Sequence, residues 1–383
     1  MQAATMQDHA TEHARTIPLM RAQLPDADAL LPYLQRIDAA RWYTNFGPLV
    51  SELERRLAKQ LDADDPPCIV SLSSGTAALE LALSAMQLPA GARVLLPALT
   101  FVATATAVIR AGHTPLIGDV DGGNWLLTPE IARRMVAVHR IDAVVPVATF
   151  GLAQDAAAWD RFVEDTGIPV LIDAAGAFGN QRAARRCHVA FSLHATKALA
   201  AGEGGFVATH DPAMAGRIRT LSNFGIDLDQ GSQVFSPGGN GKLSEYHAAV
   251  ALASLEQWPD IERSRRALRA RYLRQLLRSC QGIVLQEQAL GGVYPILVVA
   301  LPPGVRAREI QQALAAHDIQ TRQWYCPTID RHPAFANYCA EPLEVAHALS
   351  ERLLGLPFYL DITTAQIRRV CDSLACLLAE EPA

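Results

Sequence analysis

The segment FSLHATKALAAGEGG, residues 191–205, places one lysine, Lys197, between an apolar run and a cluster of glycines. Lysine is rare in this chain, occurring only at positions 59, 197 and 242, whereas arginine supplies nearly all the other positive charge. Arginine stays protonated in proteins, but a desolvated lysine can lose its proton and form a Schiff base. Since an isolated lysine after a strand is usually a solvated surface charge, its neighbours decide its role.

An aspartate at the end of a strand is the first of these neighbours. In PVLIDAAGAFG, residues 169–179, Asp173 follows an apolar run at the edge where ligands of open α/β sheets bind. Most such aspartates cap a helix or a turn. A carboxylate beside a bound pyridine nitrogen, however, keeps that nitrogen protonated and makes the ring an electron sink. Asp173 and Lys197 are therefore a candidate pair for pyridoxal 5′-phosphate (PLP).

A candidate phosphate site precedes both residues. CIVSLSSGTAALELAL, residues 68–83, predicts a strand, a tight turn at Ser74 and Gly75, and a helix start whose free N–H groups accept a phosphate. The same pattern is also a common structural cap. The hydroxyl of Ser192 could join the phosphate site, and Phe101 could stack on a planar ring or belong to the core. Together these weak signals indicate PLP.

The surrounding pattern predicts an α/β fold. Short apolar runs recur in the first two-thirds of the chain, separated by stretches with helical periodicity, and this alternation is typical of a mostly parallel sheet buried on both faces. Residues 51–61 and 76–86 are predicted helices, with Ser51 and the Ser74–Gly75 pair as start signals. The predicted strands are residues 68–73, 93–98, 114–120, 142–150, 168–175 and 188–194.

The pattern changes near Gln257. An arginine-rich amphipathic helix over residues 261–279 precedes a strand at 294–301 and two helices at 307–317 and 364–380. We therefore expect three parts: a polar leader over residues 1–16, a large PLP-binding α/β domain over 17–256, and a small α+β domain over 257–383.

Composition excludes several function classes. Half of the 383 residues are hydrophobic and 19% are charged, enough apolar material for a large core and a smaller one. A net charge of −5 without a dense basic run disfavours nucleic acid as a partner. Seven scattered cysteines without a CxxC pair predict neither disulfides nor a zinc site or other metal. With no signal pattern and no apolar run of about 20 residues, we expect a soluble cytoplasmic protein.

From about residue 17 to the C-terminus, the chain resembles the DegT/DnrJ/StrS family of nucleotide-sugar aminotransferases, which has the type I PLP-transferase (aspartate-aminotransferase) fold. The shared motifs are TNFGPLVSELERRLA (44–58), SSGTAALELAL (73–83), PALTFVATATAV (97–108), GDVD (118–121), DAAGAFG (173–179), FSLHATKALAAGEGG (191–205), LSNFG (221–225), GGNGKLSEYHAAVALASLE (238–256) and LPFY (356–359).

The resemblance implies a role for each matching residue. Lys197 would form the aldimine and carry the proton between substrate carbon and cofactor, while Asp173 would pair with the pyridinium nitrogen and Phe101 would stack on the ring. The residues implied to hold the phosphate are Gly75, Thr76 and Ser192. Asn240 matches an asparagine that reaches the neighbouring subunit's cofactor, which implies a homodimer with shared active sites.

Two positions depart from the family pattern. Gly176 stands where the family usually has Gln or His near the cofactor's phenolic oxygen, and Ala148 stands where it often has His. The first departure concerns how the ring oxygen is held, and the second concerns substrate recognition. Neither removes an essential group.

The implied reaction is ping-pong amino transfer. An amino donor, usually glutamate in the family, would convert PLP to pyridoxamine phosphate, and a keto-deoxy sugar on a nucleotide would take the amine, for surface polysaccharide or secondary-metabolite biosynthesis. One alternative is a related sugar dehydratase, in whose best-known members His replaces the lysine. Another is a non-catalytic PLP-binding regulator.

Substrate residues are sought in two segments rich in aromatic and polar side chains. RWYTNFG, residues 41–47, contains Asn45 and Phe46, and TRQWYCP, residues 321–327, contains Trp324 and Tyr325. Similar segments border the family's substrate cleft, so these four residues are candidate substrate contacts. Either segment could equally pack between domains.

Overall fold

The computed structural model describes residues 16–227, 231, 233–234, 236–287 and 291–380. Its strands are β1 (Cys68–Leu72), β2 (Arg93–Pro97), β3 (Thr114–Gly118), β4 (Ala143–Val144), β5 (Leu171–Asp173), β6 (His188–Ser192), β7 (Gly205–Thr209), β8 (Ile226–Asp227), β9 (Gln233–Val234), β10 (Leu297–Ala300) and β11 (Leu353–Leu356). Its α-helices are α1 (Ala27–Ala40), α2 (Pro48–Leu61), α3 (Gly75–Ala85), α4 (Val102–Arg110), α5 (Pro129–Val138), α6 (Ala156–Thr166), α7 (Pro212–Ser222), α8 (Glu245–Glu256), α9 (Trp258–Ser279), α10 (Ala307–Ala316), α11 (Glu344–Arg352) and α12 (Thr364–Glu380).

The central sheet has the strand order β3–β2–β4–β5–β6–β7–β1. Bridges from Val144 to Val170 and from Val147 to Asp173 join the β4 side to the β5 side. All neighbours are parallel except β7, which runs antiparallel to both β6 and β1. The predicted α/β architecture with a mostly parallel sheet is confirmed. Strand β7 was not among the predicted strands, because it directly follows the glycine cluster at residues 202–205.

The sheet is buried on both faces, as its continuous apolar runs predict. Successive residues of one strand enter different clusters: Ile172 packs on one side, and Leu171 packs on the other. Because β1, β2, β5 and β6 are all parallel, their carboxyl ends meet at the same edge of the sheet. The motifs that follow these strands are thereby brought together.

Helix α3 starts where the sequence predicts, whereas α2 does not. The side chain of Ser74 accepts a hydrogen bond from the Ala77 N–H at 3.0 Å, capping α3. Helix α2 begins at Pro48, three residues before the predicted start at Ser51. Its cap comes from another helix: the buried carboxylate of Glu245 accepts the N–H groups of Leu49 and Val50 at 2.8 and 2.9 Å, one on each oxygen.

The C-terminal region builds its own apolar cluster. Residues of α9, α10, α12, β10 and β11 pack together with Ile17, which is 1% exposed and pairs with Ile319. The predicted helix 364–380 is α12, and the arginine-rich helix α9 begins at Trp258. The domain boundary near residue 256 stays a prediction. Of the predicted leader, residues 1–15 lie outside the described residues. Within the described part, no helix is long and apolar enough to cross a membrane.

We predict that Glu245→Ala lowers the free energy of unfolding by about 3 kcal/mol, because two buried N–H groups lose their acceptor at a helix N-terminus. Urea unfolding measures the change. Glu130→Ala is the matched control, since Glu130 is an exposed first-turn glutamate of α5, and its effect should stay within about 0.5 kcal/mol. Equal effects of the two substitutions would show that the Glu245 carboxylate is not the cap.

Candidate active site

A cavity of about 400 Å³ lies at the carboxyl edge of the sheet. Strand ends from the α/β part form its floor, and residues 295–296 and 322–325 close one side. Most of the site residues expected from the sequence line this cavity, namely Gly75, Thr76, Phe101, Asp173, Ser192, Lys197, Trp324 and Tyr325. The tertiary fold thus collects into one site residues that are spread over 250 positions of sequence (75 to 325).

Asp173 forms a buried carboxylate on the cavity floor. It is 5% exposed, and it accepts a hydrogen bond from the Thr104 hydroxyl at 2.8 Å and another from the Ala175 N–H at 3.1 Å. Thr104 in turn contacts the Thr100 hydroxyl at 2.9 Å. Burial raises the pKa of Asp173, while these hydrogen bonds and the charge of Lys197 act in the opposite direction. The carboxylate is therefore held in place but poorly solvated, and a cationic ligand would stabilise it.

Lys197 lies in the turn that follows β6. Its N–H donates to the His194 carbonyl at 2.9 Å, and the loop returns through a hydrogen bond from Ala201 N–H to the Leu193 carbonyl at 2.7 Å. Burial lowers the pKa of the Lys197 amine, and the charge of Asp173 opposes this shift. A desolvated amine of this kind favours its neutral, nucleophilic form.

A polar cradle lies at the start of α3. Ser74 satisfies the N–H of Ala77, so the N–H groups of Gly75 and Thr76 are left without an acceptor from the described residues. Ser192, at the end of β6, packs directly against this turn: a Cβ on Gly75 would lie 2.7 Å from the Ser192 Cβ. Two N–H groups, a hydroxyl and the positive end of a helix therefore converge, which is the arrangement that binds phosphate.

An aromatic wall faces the cavity. Phe101 is 56% exposed and lies 6.5 Å from the ring of Tyr325. Tyr325 stacks on Phe150, with ring centroids 5.1 Å apart and planes inclined by 8°. A planar ring entering the cavity would find aromatic faces at this wall.

The two departures from the family pattern also line the cavity. A Cβ on Gly176 would meet only the Pro295 side chain at 3.6 Å and the Gly151 backbone at 3.8 Å, so ordinary van der Waals contact would accommodate it. Ala148 is 4% exposed and pairs through its N–H with the Asp173 carbonyl at 2.8 Å.

Three expected site residues lie outside this cavity. Asn45 and Phe46 have left-handed backbone, with φ of 60° and 58°, and Phe46 lies under the Arg219 guanidinium at 4.9 Å. Asn240 is exposed and forms a bridge with Asn223. The fold of one chain therefore does not bring these residues into the cavity that Lys197 lines.

Several cavity residues were missed by the sequence analysis. Thr104 does not line the cavity itself, but its hydroxyl donates to Asp173 at 2.8 Å, and no feature of the sequence singled it out. Four more lie inside motifs quoted above but were not singled out, namely Thr100, His194, Glu203 and Arg322. Others lie outside the segments in which site residues were sought: Met20, Phe150, Pro295 and Ile296.

The residues present fit PLP: a buried carboxylate, a desolvated lysine, a phosphate cradle and an aromatic wall share one cavity. The comparisons agree. The family model described as DegT/DnrJ/EryC1/StrS aminotransferase family matches residues 26–375, so the chain belongs to this family. It is a PLP-dependent aminotransferase, as expected from the sequence.

Individual proteins show the same likeness. A Bacillus cereus structure assigned as a PLP-dependent aminotransferase has a TM-score of 0.86 and 25% identity, covering 94% of this chain and 99% of that one. DesI, solved in the presence of its TDP-sugar product, has a TM-score of 0.84 and 30% identity, with coverage of 96% and 93%. The UDP-2-acetamido-2-deoxy-3-oxo-D-glucuronate aminotransferase of Pseudomonas aeruginosa is 29% identical, with coverage of 86% and 90%.

We predict that Gly75→Ala weakens PLP binding by about 100-fold, because the added methyl group displaces Ser192 and the two N–H donors from the phosphate. Absorbance titration of the cofactor-free protein measures this. Gly216→Ala is the control: Gly216 lies inside α7 with nothing within 4 Å of a new Cβ, so PLP binding should not change. Unchanged binding by Gly75→Ala would exclude this turn as the phosphate site.

Proposed function

We propose that this protein moves an amino group from an amino acid, glutamate in the first instance, to a keto-deoxy sugar carried on a nucleotide, for surface polysaccharide or secondary-metabolite biosynthesis. The observation that carries the proposal is the pairing of Lys197 and Asp173 within one cavity that also has a phosphate cradle. The likeness to DesI and to a UDP-sugar aminotransferase over nearly the whole chain supports the sugar nucleotide.

The proposal gives a role to each cavity residue that the sequence singled out for the cofactor. The cofactor supplies an electron sink and carries the amino group between the two half-reactions. The Lys197 amine takes the proton from the substrate carbon in one half-reaction and returns it in the other. Asp173 would keep the pyridine nitrogen protonated, Phe101 would cover a face of the ring, and Ser192 would donate its hydroxyl to the phosphate. The N–H groups of Gly75 and Thr76 would donate to the same phosphate.

The size of the cavity supports a substrate that extends beyond it. A space of about 400 Å³ cannot enclose the cofactor together with a whole sugar nucleotide. The sugar would occupy the part beside Lys197, next to Trp324 and Tyr325, and the nucleotide would lie outside the mouth. We therefore assign these two residues to the sugar side and the segment with Asn45 and Phe46 to the surface beyond it.

A dehydratase that removes a sugar hydroxyl is the second candidate reaction. In the best-known dehydratases of this fold a histidine replaces the lysine, so Lys197 favours amino transfer. A PLP-binding regulator without catalysis is a third candidate. Such a regulator would need the same lysine to hold its cofactor, so the burial of Lys197 does not separate it from an enzyme; the match to an aminotransferase family over residues 26–375 favours the enzyme.

We predict that Lys197→Arg lowers turnover by about 10⁴-fold or more, because a guanidinium stays protonated and cannot carry the proton. The pyridoxamine form is mixed with candidate keto sugars on dTDP or UDP, and the product is weighed by mass spectrometry. Lys59→Arg, an exposed change on α2, should leave the rate unchanged. Loss of water instead of gain of an amine would favour the dehydratase, and no half-reaction with any amino acid would favour the regulator.

The second subunit completes the site in this proposal. Asn240 is exposed and does not line the cavity of its own chain, so the role in PLP binding that the family pattern implies is assigned to a neighbouring copy. Exposed aromatic residues surround it on the same part of the fold: Tyr43 stacks on Tyr246 at 6.3 Å, and Phe224 lies under the Lys242 amine at 4.8 Å. Such a surface is typical of a protein interface.

We predict that Lys197→Ala and Asn240→Ala subunits complement each other. A mixed dimer places the intact Lys197 of one chain beside the intact Asn240 of the other, so an equal mixture should regain about a quarter of the wild-type sites. Coexpression with two affinity tags isolates the mixed dimer for an assay of turnover. No gain over the separate variants would mean that Asn240 does not serve the neighbouring subunit.

We place the reaction in the cytoplasm. No disulfide joins any of the cysteines within the described residues, and Cys339 is exposed. A reducing compartment keeps exposed thiols in this state, which supports the assignment.

A further inference from the structure

We propose that Arg322 is the receptor for the α-carboxylate of the amino donor. The carbon that loses its proton in amino transfer is bonded directly to this carboxylate. A receptor for it must therefore line the same cavity as Lys197, and Arg322 is the one guanidinium on the described wall of that cavity. The inference depends on amino transfer itself and not on the sugar nucleotide.

Arg322 is available for an anionic ligand. Its side chain is exposed, and no described carboxylate lies within ion-pair distance of it. Other arginines of the chain are neutralised by a carboxylate; Arg219, for example, pairs with Glu54 at 2.7 Å. A planar guanidinium binds a carboxylate through two parallel hydrogen bonds, a geometry that a lysine cannot reproduce.

The position of Arg322 is set in advance by a three-layer stack. Its guanidinium lies over the indole of Trp324 at 4.4 Å, and the edge of that indole with Cδ1 and Nε1 packs close against Gly355 of β11. The backbone of Arg322 is fixed to Gly355 by two hydrogen bonds, of 2.7 and 3.1 Å. A group held in its binding position loses little freedom when the ligand arrives, so it contributes more to affinity.

The positive charge of Arg322 affects a side chain inside the cavity, that of Tyr325. Burial and the neighbouring Asp173 raise the pKa of the Tyr325 hydroxyl, and the guanidinium of Arg322 lowers it. Arg322 therefore lies within electrostatic reach of the same ring that faces Asp173 and Phe101. An α-carboxylate between Lys197 and Arg322 would place the donor's reacting carbon at the amine.

The alternative ligand for Arg322 is the diphosphate of the sugar nucleotide. In such a substrate the diphosphate is separated from the reacting carbon by the sugar ring, and the cavity is too small to hold both together with the cofactor. The α-carboxylate, one bond from the reacting carbon, fits the cavity wall better. If Arg322 binds the α-carboxylate, its loss slows the half-reaction with the amino donor. If it binds the diphosphate, its loss slows the half-reaction with the sugar nucleotide.

The test compares L-glutamate with its α-amide, which lacks the carboxylate, in the first half-reaction. We expect wild type to prefer glutamate by about 100-fold in the rate at which the PLP absorbance band disappears, and Arg322→Gln to lose this preference. Arg322→Lys should recover part of it. In Arg322→Gln, the binding of α-methylglutamate should weaken by a similar factor. Because this compound has no α-hydrogen to lose, its binding reports affinity without turnover.

Arg133→Gln is the matched control, because Arg133 also lies over an aromatic ring, that of Phe162 at 5.6 Å, but does not line the cavity. Gly355→Ala tests the stack: its new Cβ would lie 2.3 Å from the indole, so we expect about a 10-fold loss of the same preference. The proposal is overturned if Arg322→Gln still prefers glutamate over its α-amide as wild type does. It is also overturned if Arg322→Gln keeps normal glutamate kinetics but is inhibited more weakly by dTDP. Failure of the sugar screen with normal glutamate kinetics would refute only the sugar nucleotide.

Discussion

A buried carboxylate at the end of β5 constrains the rest of this site. Asp173 is 5% exposed, and the charge of its ionised form must be balanced by hydrogen bonds and a nearby cation. Thr104 reaches it from α4, the Ala175 N–H from the following turn, and the Lys197 charge from the loop after β6. Three separate segments are thereby held around one anion. In the proposed function, pairing with a protonated pyridine ring would account for this costly group.

Close backbone approach is the second condition for the site. Gly205 begins β7, and a Cβ there would lie 2.6 Å from the backbone of Ser74 and Gly75; a Cβ on Gly75 would in turn strike Ser192. The phosphate cradle thus exists because glycines let α3, β6 and β7 touch. The same β7 runs antiparallel between two parallel strands, so the loop carrying Lys197 returns directly beneath the start of α3.

The expected site residues fall into two groups, one that lines the cavity and one that does not. Among the described residues, the cavity of one chain is lined by Lys197, Asp173, the residues of the phosphate cradle and the guanidinium of Arg322. Asn240 and the 41–47 segment lie elsewhere, tied to each other because Glu245 of α8 caps α2 and its N–H bonds to Tyr43. In a dimer, this tie would present both segments to the neighbouring cavity as one unit.

Sequence alone determined what depends on short-range chemistry: the parallel sheet, the strand-end Asp173, the Ser74 cap and the unusual Lys197 follow from local patterns and residue type. It missed β7, whose glycines resemble a loop, and it misplaced the start of α2, whose cap is supplied by Glu245 from almost 200 residues away (245 against 49). Thr104, Arg322 and the Phe150–Tyr325 stack were likewise decided by tertiary structure. Their roles depend on distances between segments that no local pattern encodes, because side chains far apart in sequence meet only when the core packs.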